Sequence, residues 1–455
     1  MRPFEILTLL FLIWSLISFF IYQNKKIFLY LLFGSIIGLL IQSLIEGLRW
    51  QFLPTAYLLA FIFLVYKFKI TNTASKILLG TWLVFSIVLP WLVPVFDLPK
   101  PKGSLSVGTQ TFYWVDSTRL EWFTDEIKDD VRQIMVQIWY PAKSIENLKK
   151  SKYMDHMELR SKTLASAGKI PSFLPRHLDL VNTNSYINAP CSNQKEKFPA
   201  LIFSHGLSGS RHLHQTLFEH LASLGYIVVA PDHSFDSNLT IFPSGKVANY
   251  RSDITSKTDS VLIRENQLRT RYLDIDFVLN QLEKINNNQI ISNISHRVDM
   301  KHIAVGGHSY GGATAILASH NDSRIRTCFV LDGWINPLPD SVKSVGISVP
   351  ILYIGRPSWS NSDYPTNYLE LNDLLVQSSN NKYELHIKNT LHLDYTDIPL
   401  MSPLIEYVMD VGSLPASTTL PLINDIVYHF LQENLLKKES NKLDSLINNQ
   451  LINQL

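Results

Sequence analysis

The run Gly307-His308-Ser309-Tyr310-Gly311 has the plainest chemistry in this 455-residue sequence. A serine hydroxyl attacks an ester when it stands clear of its neighbours with a base beside it. A Gly-x-Ser-x-Gly run sets such a serine on a tight strand-to-helix turn, where the glycines let the backbone cross itself without Cβ clashes. The pattern is short, so its flanks matter. His302–Val305 is a β-rich run just before it, and Gly311-Gly312-Ala313-Thr314-Ala315 offers small residues where a helix must pack close to a sheet. Ser309 is the candidate nucleophile.

Attack on a carbonyl creates an oxyanion, which needs donors. One is the backbone N–H of the residue after the nucleophile, Tyr310; the other comes from the loop after an earlier strand. Ser204-His205-Gly206-Leu207 leaves the short apolar run Ala200–Ser204, and Leu207 N–H is the second candidate. In the serine, acid, histidine order of α/β hydrolases the base lies downstream. His386 falls inside a predicted strand and His429 inside a predicted C-terminal helix. His392 lies in the loop past the last strand, from where it can reach back to Ser309. For the acid, position alone leaves two residues level: Asp332, ending the run Thr327–Leu331, and Asp363, in the loop after the next strand. Asp340 and Asp373 sit less well. Such chemistry needs no cofactor and no metal, and the sequence has no convincing ligand cluster.

These residues need a scaffold, and the rhythm from Pro199 onward supplies one. Short apolar runs at Ala200–Ser204, Tyr226–Ala230, His302–Val305, Thr327–Leu331, Val349–Ile354 and Tyr383–Ile387 alternate with helical spacing at Leu213–Leu224, about 259–284, from Gly311, and near Leu420–Leu435. Buried strands alternating with helices predict a mainly parallel sheet covered on both faces. Thr111–Val115 and Arg132–Tyr140 read as earlier strands, 142–196 as polar and irregular, and 437–455 as a loose polar tail.

The first hundred residues differ. They hold eight Lys/Arg and three Asp/Glu, a net of +5, against about −3 for the rest. Four charge-free gaps, 6–24, 27–45, 50–66 and 77–96, are each close to the roughly 20 residues that cross a bilayer. The organisation predicted is a four-helix transmembrane region over 1–98, a linker over 99–103, a catalytic α/β domain over 104–436 and the tail. Glu5 and Glu46 fall at span ends, where a carboxylate can reach the headgroups. Lys25, Lys26, Lys67, Lys69 and Lys76 gather in the two loops on one side, so the positive-inside rule puts the large domain on the non-cytoplasmic side. A net charge of +2 argues against a nucleic-acid partner. Cys191 and Cys328 exclude a disulfide-rich scaffold, and their spacing leaves a bridge or two free thiols open.

His205-Gly206-Leu207, Gly307-His308-Ser309-Tyr310-Gly311-Gly312-Ala313-Thr314, Leu331-Asp332-Gly333-Trp334 and His392-x-x-Tyr395-x-Asp397 occur in that order. Together they resemble the plasma-type (isoform II) platelet-activating factor acetylhydrolases. Val136–Ala142 is similar to that family's early strand, and the resemblance covers about 104–435. It implies an α/β-hydrolase fold, Ser309 as nucleophile and His392 as base. It makes Asp332 the acid, through the Leu-Asp-x-Trp motif, and Leu207 and Tyr310 the oxyanion donors. It implies a phospholipid substrate with a short or oxidised sn-2 acyl chain. Tyr310 stands where phenylalanine is usual and Gly333 where alanine is common; both keep backbone roles. The secreted enzymes lack the spans of residues 1–100. Two other readings are a general carboxylesterase or lipase with the same triad, and a non-catalytic membrane scaffold or binding protein.

Overall fold

The charge-free gaps become four helices: α1 (Pro3–Phe20), α2 (Lys25–Ile45), α3 (Leu53–Phe68, after a 3-10 turn at Trp50–Phe52) and α4 (Thr73–Leu92). This computed structural model describes all residues except 71, 125, 144, 252–259 and 455. All four helices, α3 counted with its leading turn, are long and apolar enough to cross a membrane. Asn24 and Asn72 cap α2 and α4, accepting from the N–H groups of Ile27 and Ser75. Glu5 does not reach outward as expected. It is fully buried and held by both Arg49, at 2.6 and 2.7 Å, and Arg2, at 2.8 Å. A carboxylate inside an apolar bundle is too costly to leave unpaired, so it draws its cations in with it. Glu46 accepts from Phe4 N–H at 2.9 Å.

Packing divides the chain into two units, and the division is not the simple cut that the sequence suggests. The first holds Met1–Asp97, Met154–Asn182 and Leu400–Ile405; the second holds Leu98–Tyr153, Thr183–Pro399 and Glu406–Leu455. Two pieces of the predicted 104–436 domain therefore pack with the apolar helices. Trp50 Nε1 donates to Leu174 O at 3.1 Å and its ring meets Phe173 edge to face. Ser402 Oγ donates to Leu92 O at 2.7 Å. Such long-range contacts leave no mark in local composition.

The second unit is built on β1 (Ser106–Leu120), β2 (Val131–Ala142) and β3 (Lys150–Lys152); helix α5 (Met157–Gly168) follows in the chain, within the stretch expected to be irregular. Then come β4 (Asn182–Ile187), β5 (Phe198–Ser204), α6 (Gln215–Ser223), β6 (Ile227–Asp232), the hairpin β7 (Leu239–Ile241) and β8 (Val247–Asn249), and α7 (Ser260–Asn286). The rest is β9 (Val298–His308), α8 (Tyr310–Asn321), β10 (Ile325–Leu331), α9 (Asp340–Val345), β11 (Ile351–Gly355), α10 (Asn367–Gln377), β12 (Lys382–Ile387), α11 (Ala416–Asn434), α12 (Lys442–Ile447) and β13 (Ile452–Gln454). Among the described residues the main sheet has 11 strands, ordered β13-β12-β11-β10-β9-β5-β6-β2-β1-β4-β3. The run from β6 to β12 is parallel, while β2 pairs antiparallel with both β1 and β6. This is the mainly parallel α/β-hydrolase sheet read from the sequence.

Each central strand feeds two cores, because successive side chains point to opposite faces. Ala200, Ile202, Ile303, Val305 and Val330 pack with α7 and α8 on one face. Leu201, Phe203, Ala304, Phe329 and Leu331 pack with α6 and α11 on the other. The residues after Lys437 are not a loose tail. Leu443, Ile447 and Ile452 are buried in the second core, and β13 pairs antiparallel with β12. Three apolar residues among many asparagines suffice, since the neighbouring sheet edge supplies the missing partners. Cys191 and Cys328 are both free thiols.

Candidate active site

Ser309 sits between the end of β9 and the start of α8 with φ 57° and ψ −123°, a conformation that non-glycine residues rarely adopt. The flanking glycines make the turn possible. A Cβ at Gly307 would lie 2.0 Å from Gly311 O, and one at Gly311 would lie 2.0 Å from Ser204 O. Backbone bonds lock the elbow to the turn after β10: Ser309 N–H donates to Leu331 O and Trp334 N–H donates to Ser309 O, each at 3.0 Å.

His392 lies past β12, as expected of the base, and its ring bridges two groups. Nε2 is 2.9 Å from Ser309 Oγ, and Nδ1 is 2.6 Å from Asp332 Oδ2. A carboxylate can only accept, so Nδ1 carries a proton and Nε2 offers its lone pair to the serine hydroxyl. Asp332 is fully buried, which opposes its ionisation. Hydrogen bonding and charge from His392, together with Arg356, outweigh burial and hold the carboxyl below its ordinary range. Such a line can take a proton from Ser309 and stabilise the imidazolium that results.

Leu207 follows Gly206, whose Cβ position would lie 3.2 Å from Ser309 Cβ. Among the described residues neither Leu207 N–H nor Tyr310 N–H has a hydrogen-bond acceptor. For Tyr310 this follows from its place in the first turn of α8, where N–H groups have no partner within the helix.

A family model described as platelet-activating factor acetylhydrolase, isoform II, matches residues 93–453. The chain belongs to that family. The platelet-activating factor acetylhydrolases of Canis lupus familiaris and Cavia porcellus are each 27% identical to it over 375 residues, or 77% of this chain and 80% and 81% of theirs. A probable 1-alkyl-2-acetylglycerophosphocholine esterase of Arthroderma benhamiae is 25% identical over 261 residues, or 54% of this chain and 62% of that protein. Among solved structures, a ferulic acid esterase from Streptomyces cinnamoneus shares the fold, with TM-score 0.64 and 24% identity over 80% of this chain and all of that one. As a member of the platelet-activating factor acetylhydrolase family the chain is a carboxylic ester hydrolase.

The other sequence candidates lie elsewhere in this family member. Asp363 is exposed in the loop after β11. Asp340 pairs with Lys343 at 3.1 Å, and Asp373 is exposed on α10. His386 is buried 3.0 Å from Glu384 and stacks on Tyr368; His429 packs against Tyr428 on α11. Asp397, the last residue of the His392 motif, caps α6: the N–H of Gln215 donates to it at 2.7 Å, as does the Thr216 hydroxyl. Burial pushes that carboxyl up to about 7. Asp394 accepts from Leu391 N–H and Gly412 N–H, at 2.7 and 2.6 Å, and so pins both sides of the His392 loop.

Sequence reasoning missed three supports. Arg356 Nε lies 3.1 Å from Asp332 Oδ2, its N–H donates to Oδ1 at 3.0 Å, and its guanidinium covers Trp359. His308, the variable residue inside the elbow, donates from Nε2 to His392 O at 3.0 Å; burial pushes its imidazole down to about 3, so it stays neutral. Beneath the elbow lies a second serine–histidine–aspartate line. His233 Nε2 is 2.9 Å from Ser204 Oγ and Nδ1 is 2.9 Å from Asp274 Oδ2, all three residues fully buried. The pair Gly307 and Ser204, facing each other across β9 and β5, brings the two lines together. A local signal existed only for His308, which stands inside the motif.

Proposed function

We propose that the chain is a membrane-anchored serine hydrolase that cleaves short or oxidised sn-2 acyl esters of phospholipids. The observation that carries this reading is the hydrogen-bonded line Ser309–His392–Asp332, in a chain of the platelet-activating factor acetylhydrolase family. Ser309 Oγ attacks the ester carbonyl carbon as His392 Nε2 takes its proton. Leu207 and Tyr310 N–H groups stabilise the tetrahedral oxyanion. The intermediate collapses, the carbon–oxygen bond to the lysophospholipid breaks, and His392 returns the proton to that leaving oxygen. Water then attacks the acyl-serine, giving its proton to His392, and the free acid departs as Ser309 is reprotonated. Asp332 keeps the imidazole in the tautomer the cycle needs.

The acyl preference rests on the family and on the names of its relatives. The anchor rests on the four apolar helices, and the lysine-rich loops favour the non-cytoplasmic side for the large domain. Phosphatidylcholines with acetyl, hexanoyl or palmitoyl at sn-2 test the reading, using full-length protein with Ser309→Ala as control. Turnover of the short chains alone, lost in the variant, is expected. Equal cleavage of the palmitoyl lipid points to a general lipase. Cleavage of p-nitrophenyl esters only points to a carboxylesterase, and inertness of folded protein towards all of them points to a scaffold.

A further inference from the structure

Gly206 C=O and Leu207 N–H belong to one peptide group, so whatever binds that carbonyl acts on that N–H. Two side chains reach it. His205 Nδ1 lies 2.7 Å from Gly206 O, and Arg271 Nη2 lies 3.4 Å from it. Arg271 Nη1 also donates to His205 O at 2.6 Å, and its Nε donates to Asp236. The far side of His205 fixes its tautomer. His233 N–H lies 3.1 Å from His205 Nε2 and can only donate, so Nε2 holds the lone pair and the ring proton sits on Nδ1, facing Gly206 O. Burial, reinforced by the Arg271 charge, pushes this imidazole down to about 3 and keeps it neutral. The same guanidinium faces the Tyr310 ring, 4.9 Å from its centre. Arg271 and His205 are both buried.

We propose that Arg271 and His205 are positioning residues for the oxyanion donors. Two side-chain N–H groups donating into Gly206 O, beside the Gly209 backbone N–H at 3.1 Å, polarise the Gly206–Leu207 peptide and make Leu207 N–H a stronger donor, because hydrogen bonds in a chain reinforce one another. The guanidinium also packs on Tyr310, the residue that carries the second donor. Neither side chain touches substrate. The inference rests on the reading of Leu207 and Tyr310 as oxyanion donors to an ester bound at Ser309.

Full-length protein in detergent micelles tests it, with p-nitrophenyl acetate for kcat and KM. An alkyl trifluoromethyl ketone, whose adduct with a serine bears an oxyanion, supplies an inhibition constant. Arg271→Gln is combined with Asp236→Asn, so that Asp236 is not left charged opposite a neutral side chain; Arg271→Lys keeps the charge and loses the fork. Deleting an oxyanion donor outright costs about 10²–10³ in kcat, so weakening one is expected to cost about 10- to 100-fold. KM should hold, ketone affinity should fall by the same factor as kcat, and the lysine variant should fall between wild type and the double variant. A rise in KM alone, or a fall in kcat with ketone affinity intact, overturns the proposal. If the double variant does not fold, Arg271→Lys decides by the same ratio. Turnover surviving in Ser309→Ala overturns the serine reading and this inference with it. Dead Ser309→Ala beside unaltered ketone affinity in the Arg271 variants overturns the inference alone.

Discussion

Ser309, His392 and Asp332 are joined at 2.9 and 2.6 Å; Ser204, His233 and Asp274 are joined at 2.9 and 2.9 Å. Ring nitrogens, hydroxyl and carboxylate take the same places in both lines. Their surroundings differ. Ser309 is half-buried on a strained turn, His392 keeps one-fifth of its side chain exposed, and the Leu207 and Tyr310 N–H groups have no acceptor among the described residues. Ser204 ends a regular strand and is sealed from solvent. Asp274 carries Arg132 and Arg119 at 2.6 and 2.9 Å, whereas among the described residues Asp332 has one guanidinium, from Arg356. A hydrogen-bonded triad is thus a pattern that folding can use for cohesion. It becomes a nucleophile where the hydroxyl is reachable and the charge formed by attack has waiting donors.

The largest effects should separate the two serines. Ser309→Ala is expected to lower kcat by about 10⁵- to 10⁶-fold and to abolish labelling by a fluorophosphonate. Ser204→Ala should keep the label, mapped to Ser309 by peptide mass spectrometry, and lose about 1–3 kcal/mol of stability because His233 loses a buried partner. A label on Ser204 would erase the distinction. The acids should diverge in the same way. Asp332→Asn is expected to cost about 10⁴ in kcat, since the imidazole loses its required tautomer. Asp274→Asn should instead cost about 1–3 kcal/mol of stability, because buried Arg132 and half-buried Arg119 lose the carboxylate they share while keeping Glu121 and Asp116, read as a lower Tm with kcat per folded molecule little changed.

Acid should strain the sealed side. Burial keeps His205 and His308 neutral until about pH 3 and holds His233 below its ordinary range. Unfolded histidine binds its proton near pH 6.5, so the unfolded chain gains protons first. The stability these groups confer is complete above that pH and is lost as pH falls towards 3. His205 and His308 together should lower the unfolding free energy by about 2–3 kcal/mol between pH 6 and 5. A Tm flat over that interval would contradict neutral burial. The smallest expected effect belongs to Arg356→Lys, which keeps the charge and the backbone N–H to Asp332 but loses the close guanidinium contact; kcat should fall about two- to fivefold, the worth of a weak ion pair. Burst kinetics would place that loss in acylation, and an unchanged kcat would leave Asp332 oriented by His392 and the Arg356 backbone N–H.

The elbow was legible because its demands are local: five consecutive residues, two of them glycines that no Cβ can replace. The central strands β5, β6, β9, β10, β11 and β12 were legible for the same reason, each holding a short apolar run, whereas β3, β4, β7, β8 and β13 are too short or too polar to stand out. Asp332 and Asp363 could not be separated by position, since one ends the strand after the elbow, the other lies in the loop after the next strand, and only distance in space distinguishes them. Arg271, Asp274 and His233 were invisible, because their partners lie tens of residues away and each passes alone for an ordinary polar residue. The same blindness hid Glu5 among its arginines and the packing of Met154–Asn182 with the apolar helices.

The strand β13 has one more consequence. It occupies the hydrogen-bonding edge of β12, matching Ile387, His386 and Leu385 with Ile452, Asn453 and Gln454. An uncovered edge of a parallel sheet is a template on which another chain can add a strand. The edge strand is then β13 itself, three residues long, which offers another chain only a short template.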